Sequence, residues 1–268
     1  MDGFALTKWY LDVVDEAGRS AIVYWSEISW GPFAVRWEEL SSHEPGRTPE
    51  HRSNVGAGPA PTRTDGAISW QSSALTADLV CVPWSRAFET RLLERDEGAL
   101  DWWCEAAGAD VTLTRGAGRI VRGAGYAERI VLTIPPWKLP ITELRWGRWG
   151  SAGSRRSLVW IDWRGASPLT LVLVDGVPRE GAVVGDGIIR CGGEALTLTP
   201  GETLHARPLG EVLGRVRPIA GVLPGPWRTV EDRKLRSVGT LWSGHTAVET
   251  GWAVSETVRF PWRERESG

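Results

Sequence analysis

LTKWYLDVV at residues 6–14, DEAGR at 15–19 and SAIVYWSE at 20–27 decide how this chain is read. The two outer pieces set apolar, aromatic and β-branched residues against polar ones with the two-residue period of a half-buried strand. The middle piece is polar and carries a glycine where a tight connection needs a positive φ, so the three together predict a β-hairpin with Gly18 in its turn. The pattern repeats along the chain. Strands are expected at 67–71, 88–94, 100–105, 110–115 and 123–133. Beyond Pro135-Pro136 they are expected at 141–149, 157–163, 169–174, 187–190, 196–199, 203–207, 212–216, 234–242 and 245–260. Nothing keeps a helical period beyond about two turns, and only 80–95 has room for a short helix. With about nine strand candidates on either side of Pro135-Pro136, the chain is expected to be all-β with little helix. Two antiparallel β-barrel units follow from this, one over 1–135 and one over 136–268.

Residues 41–65 interrupt the alternation. They are rich in Pro, Gly, Ser and charge, which predicts a long solvated loop or insertion carrying His43 and His51. Composition narrows function. A formal net charge of −2 over 268 residues offers no basic field for nucleic acid, and the arginine clusters, including 263–265, read as solvated faces. Cys81, Cys104 and Cys191 are widely spaced and lack CxxC, which predicts reduced thiols and a cytoplasmic protein without zinc. No secretory leader is recognised at the start, and no apolar run reaches the ~18 residues that span a bilayer. There is no GxSxG, P-loop or HExxH, and four scattered histidines do not make a metal centre. The outlier is tryptophan, with 17 residues against 3 Tyr and 4 Phe. Indoles plug barrel ends, and they also offer electron-rich faces to a cation.

The chemistry-bearing stretch runs Gly123-Ala124-Gly125-Tyr126-Ala127-Glu128-Arg129, then Pro136-Trp137. It continues with Arg145-Trp146-Gly147-Arg148-Trp149 and Trp160-Ile161-Asp162-Trp163. The pleat puts Tyr126 with Glu128 on one face, and Trp160 with Asp162 on another. A carboxyl held beside aromatics inside a barrel is a proton donor for an alkene, and the indoles stabilise the cation that results. The plainer reading is an ordinary ion-pair network, with Glu128 beside Arg129 or Arg148 and Asp162 beside Arg164.

GxGYxE, Pro-Trp, a Trp-Gly strand and Trp-x-x-Trp, in this order, resemble the lipocalin-like group that contains the carotenoid 1,2-hydratases. Tocopherol cyclase and the fungal Diels–Alderases are more distant relatives of that group. The opening Trp9-Tyr10-Leu11-Asp12 and its hairpin to Tyr24-Trp25 resemble the same pattern, and the matching segments lie mainly in 8–30 and 100–163. The resemblance implies tandem lipocalin-like (calycin) barrels and a hydrophobic small-molecule substrate, an isoprenoid or polyene, handled without cofactor or metal. The implied reaction is acid-initiated hydration or cyclisation of a C=C bond, that of a lyase or a cyclase. Glu128 or Asp162 would be the acid and Tyr126 its orienting group. Trp9, Tyr10, Trp103, Trp137, Trp146, Arg148, Trp160 and Trp163 would line a Trp-rich barrel cavity. Two alternatives stay open: a pericyclase that shapes a natural-product polyene, and a non-catalytic carrier of hydrophobic ligands. In each case the chain would not span the membrane but would meet it through its substrate.

Overall fold

A computed structural model describes residues 3–116, 118–208 and 230–260. The first ten strands are β1 (Phe4–Val14), β2 (Ser20–Trp30), β3 (Phe33–His43), β4 (Glu50–Val55), β5 (Thr62–Thr64), β6 (Ala67–Ser72), β7 (Ala77–Pro83), β8 (Phe88–Arg95), β9 (Gly98–Arg115) and β10 (Arg119–Leu132). A 3-10 turn, Pro136–Lys138, follows. Ten more strands come next: β11 (Glu143–Ser151), β12 (Arg156–Arg164), β13 (Leu169–Val174), β14 (Val177–Arg179), β15 (Val183–Gly185), β16 (Ile188–Cys191), β17 (Glu194–Leu198), β18 (Glu202–Pro208), β19 (Glu231–Ser243) and β20 (Thr246–Arg259).

The first sheet has the order β4-β3-β2-β1-β10-β9-β7-β6-β5, with β8 also paired to β9. The second has the order β14-β13-β12-β11-β20-β19-β17-β16-β15, with β18 on β19. Each strand of the second sheet therefore stands where the strand ten places earlier stands in the first. Both sheets are antiparallel and curl into barrel-like units. The chain divides into two compact units. One comprises the residues up to Pro136 with Gly150–Ser157 and Asp175–Val177; the other comprises Trp137–Trp149, Leu158–Val174 and the described residues from Pro178 onward.

Period-two burial builds each core. In β7, Ala77, Leu79 and Cys81 are buried while Val80 and Val82 between them are exposed. The first core gathers Trp9, Leu11, Val13, Val23, Trp25, Leu40, Ile68, Trp70, Leu79, Val111, Leu113 and Ala127, among others. The second gathers Trp149, Leu158, Trp160, Val172, Val174, Ile189, Leu196 and Leu241. The predicted hairpin forms, with Gly18 at φ 79°.

Three expectations are corrected. The region 80–95 contains no helix but β7 and β8, because its apolar residues alternate across a sheet. Residues 100–105 and 110–115 are one strand, β9, carried through a bulge. The supposed loop 41–65 holds the end of β3, all of β4 and β5, since edge strands form by backbone pairing and need few apolar side chains. His43 is buried in that stretch. The strand expected at 212–216 and the arginines at 263–265 lie outside the described residues. No helix among the described residues is long and apolar enough to cross a membrane.

Candidate functional site

The site begins with the register of β1 between β2 and β10. Tyr10 stands opposite Tyr24 on one side and Glu128 on the other, and Asp12 stands opposite Ile22 and Tyr126. Two tyrosines and two carboxyls thus alternate as a checkerboard on one sheet face. Tyr10 donates to Asp12 Oδ2 at 2.9 Å and Tyr126 donates to Glu128 Oε2 at 2.8 Å, each bond running between residues two apart on its own strand. Trp102, two residues along β9 from Cys104, the partner of Glu128, donates its indole N–H to the same Oε2 at 2.7 Å. Tyr10, Asp12, Tyr126, Glu128, Trp102 and Cys104 are all buried. The Tyr10 ring meets Tyr24 edge-on at 5.2 Å and Tyr126 at 6.0 Å. Burial first, and then the Glu128 carboxyl, hold the Cys104 thiol well above its ordinary range, so it stays a neutral thiol.

This face is not the barrel interior. Leu11, Val13 and Ala127, which alternate with the site residues, fill the core, so Tyr126 and Glu128 project from the opposite side of the same strands. The expected cavity inside the barrel is corrected accordingly: the interior is packed with apolar side chains and the acid cluster is on the outer face. Towards the start of β1 that face next carries Lys8, whose ammonium lies 4.9 Å over the Tyr24 ring, and only beyond it turns apolar. Leu6 lies between Ile28 and Leu132, and Phe4 pairs with Trp30, which is 38% exposed. From Tyr10 past Lys8 to Phe4 this face runs roughly 20 Å along the strand.

Local sequence explains the positions. Alanine at 125 would place a Cβ 2.2 Å from the Asp12 carbonyl oxygen, so the GxGY run lets β10 close against β1 beside the checkerboard. Opposite Tyr126, β9 carries the bulge between the Gly125–Ala109 and Glu128–Cys104 pairs, which bends the sheet at the cluster.

The other predicted residues are elsewhere. Trp9 and Trp103 lie on the far face of the first sheet, where the Arg129 guanidinium stacks 5.7 Å and 4.2 Å from their rings. Asp162 shares its strand face with Trp160 in the second unit, and its oxygens accept from Thr170 Oγ1 at 2.8 Å and Arg164 Nε at 3.3 Å. Trp160 is core, its indole lying flat where a Cβ on Gly147 would be, 2.1 Å away. Trp163 is buried on the opposite face of β12 from Trp160, and Trp137 is half-buried in the 3-10 turn. Arg148 is buried on β11 and donates to the Trp252 carbonyl at 3.2 Å, and Lys234 Nζ sits 5.3 Å over Trp146. The second sheet therefore buries the cations Arg148, Lys234 and Arg236 on β11 and β19, whose counterparts β1 and β9 flank the acids of the first. Asp12, Tyr24, Trp102 and Cys104 are not among the candidate site residues read from the sequence; the Trp9-Tyr10-Leu11-Asp12 run holds a signal for Asp12, but Trp102 and Cys104 depend on strand pairing. Among the described residues no group of three His, Cys, Asp or Glu side chains is placed to hold a metal ion.

No family model matches the chain, and no curated protein matches it. Solved structures do. A candidate AttH protein from Nitrosomonas europaea superposes with a TM-score of 0.61 at 11% identity, covering 96% of this chain and 93% of that one. CghA superposes with a TM-score of 0.57 at 15% identity, covering 96% and 88%. Kievitone hydratase from Nectria haematococca gives 0.53 at 8% identity, covering 96% and 89%. The chain shares its fold with these proteins, which include a hydratase.

Proposed function

We propose that the chain is an enzyme that protonates a C=C bond of a hydrophobic isoprenoid or polyene, starting hydration or cyclisation, with Glu128 as the proton donor. The observation that carries this reading is the buried Glu128 carboxyl, with both Tyr126 and Trp102 on its Oε2, on a sheet face lined by Tyr10, Tyr24 and, beyond Lys8, by Leu6 and Phe4. Glu128 is preferred to Asp162 because it lies among the buried Tyr10, Tyr126 and Trp102 side chains, whereas Asp162 accepts from the Arg164 guanidinium at 3.3 Å.

Proton transfer from Glu128 to an alkene carbon leaves a carboxylate and a carbocation. In hydration, water adds to the cation and its extra proton returns to Glu128. In cyclisation a second alkene of the substrate attacks the cation, and a C–H proton is then lost to the carboxylate. Either route restores the acid. Proton donation requires Glu128 to hold its proton with substrate bound, when the site is shielded from water. The fold shared with kievitone hydratase supports a hydratase or cyclase scaffold, and the aromatic and apolar side chains on this face, Tyr10, Tyr24, Leu6 and Phe4, support a hydrophobic substrate.

The test pairs binding with turnover for Glu128→Gln, using Trp fluorescence quenching by polyene ligands and product analysis. Turnover should fall by on the order of a hundredfold while binding is kept. Unchanged turnover in the variant removes the acid mechanism, and ligand binding without any product leaves a carrier.

A further inference from the structure

The hairpin of β2 and β3 ends on a stretch without a single charge, Ile28-Ser29-Trp30-Gly31-Pro32-Phe33-Ala34-Val35. Trp30 stands opposite Phe33 at the turn, where Gly31 takes φ 57°, and Ile28 stands opposite Val35 two pairs further in. The pleat sets these four side chains on one face. Trp30 and Phe33 are 38% and 73% exposed, and Phe33 is the most exposed large apolar side chain among the described residues. Phe4 of β1 pairs with Trp30, and the two rings meet edge-on at 6.5 Å, which braces the tip.

The first charges along the hairpin are Glu27 and Arg36. They stand opposite each other three pairs from Trp30–Phe33 and form an ion pair. At about 3.4 Å per pair they lie roughly 10 Å from the tip. Lys8, opposite Ser26, is one pair deeper. The β8–β9 turn reaches the same end of the sheet, by the Leu6–Leu132–Leu100 register, and carries Asp96 and Glu97.

We propose that this tip docks the protein on a zwitterionic phospholipid bilayer, inserting Trp30 and Phe33 at the boundary of headgroups and acyl chains. Interfacial segments bury their apolar part about 5–10 Å into that boundary, and the uncharged depth of the hairpin matches it. The Trp30 indole offers the boundary an apolar ring and one N–H donor. The Glu27–Arg36 pair then lies at headgroup level, with each charge already answered by the other. Asp96 and Glu97 disfavour an anionic surface. A second copy of the chain fits the tip less well. Trp30 and Phe33 together leave only on the order of 200 Å² in water, against about 800 Å² per partner in a stable complex. The tip shares its sheet face with Tyr10 and Tyr24, so the membrane contact runs through the protein's own side chains and does not need a substrate to carry it.

The experiment floats the full chain with phosphatidylcholine vesicles on a sucrose gradient, at about 0.1 M and about 1 M NaCl. The parent should float at least as well at the higher salt, because apolar insertion is not screened. Replacing part of the lipid by phosphatidylglycerol should not strengthen binding. Phe33→Ser should weaken partitioning by about tenfold or more, the scale of one buried aromatic side chain, and Phe33→Trp should keep it. Phe33 lies mostly in water, so both variants keep the fold. Val82→Ser, which removes an exposed apolar side chain from β7, should float as the parent does. Flotation needs no turnover, so its outcome is read separately from that of the Glu128 acid. Failure of the parent to float overturns the proposal, as does flotation that Phe33→Ser leaves unchanged. Flotation that is lost at the higher salt, or that requires phosphatidylglycerol, also overturns it, since charge would then hold the chain. A dimer that Phe33→Ser breaks, with no flotation of the parent, assigns the tip to a second copy instead.

Discussion

Gly125 shows how one absent methyl group holds the acid cluster together. A Cβ there would sit 2.2 Å from the Asp12 carbonyl oxygen and 2.5 Å from a Val111 methyl, and neither backbone nor buried valine can yield that much. Gly125→Ala should therefore push β10 from β1 next to Tyr126. Overpacking of this kind costs about 1–3 kcal/mol, seen as a lower thermal midpoint, and turnover should fall further than stability alone explains. A midpoint equal to that of the parent would contradict this account. Cys81 makes a second prediction at this scale. Burial, followed by the Asp12 charge, pushes its thiol from 9.0 up to about 12. Below pH 9 both folded and unfolded states hold the proton and the full stability is present. Between 9 and about 12 only the unfolded chain releases it, so stability falls as pH rises. Cys81→Ala should show a shallower alkaline loss in urea titrations than the parent, and parallel curves would sink the assignment.

At the scale of the element, β4 shows why composition misleads at an edge. Its six residues, EHRSNV, have almost nothing to bury, yet they pair with β3 from Trp37–Val55 to Ser42–Glu50, and Asn54 reaches the interior to bond Glu38. Shortening the 44–49 turn should change the melting temperature little, because no ladder runs through it. Deleting β4 should lower it by several degrees, since it strips the outer ladder from β3 and a bond from a buried carboxyl. Equal effects from the two deletions would return the segment to the status of a loop. The bulge in β9 lay equally beyond the sequence. Ala106, Ala107 and Gly108 read as a gap between two strands, whereas pairing with β10 keeps them in one bent strand.

Across the molecule, the twenty strands of the described residues fall into two sheets of the same order, and each curls around its own core. The two core clusters share no member, so damage to one should not change the cost of damage to the other. Leu11→Ala and Leu158→Ala remove buried leucines from the first and second core respectively. Each should cost about 2–5 kcal/mol, and the double variant should approach the sum within about 0.5 kcal/mol. Denaturant unfolding measures both, and a coupling well beyond that margin would show that the cores do not act separately.

The sequence by itself determined the fold class, the first hairpin, most strand positions and the pairing of Tyr126 with Glu128. These follow from the pleat and from turn chemistry, which act over a few residues. The tertiary structure decided which side of each strand is inside, because alternation marks two faces without naming the core. Whether Leu11 or Tyr10 points inward depends on how the sheet curls, and that curl sent the acid cluster outward and Glu38 inward. Register decided the rest: Asp12 meets Tyr126, Trp102 reaches Glu128 and Ser72 reaches Glu38 only because strands distant in the chain pair or face one another, a choice made by the whole sheet.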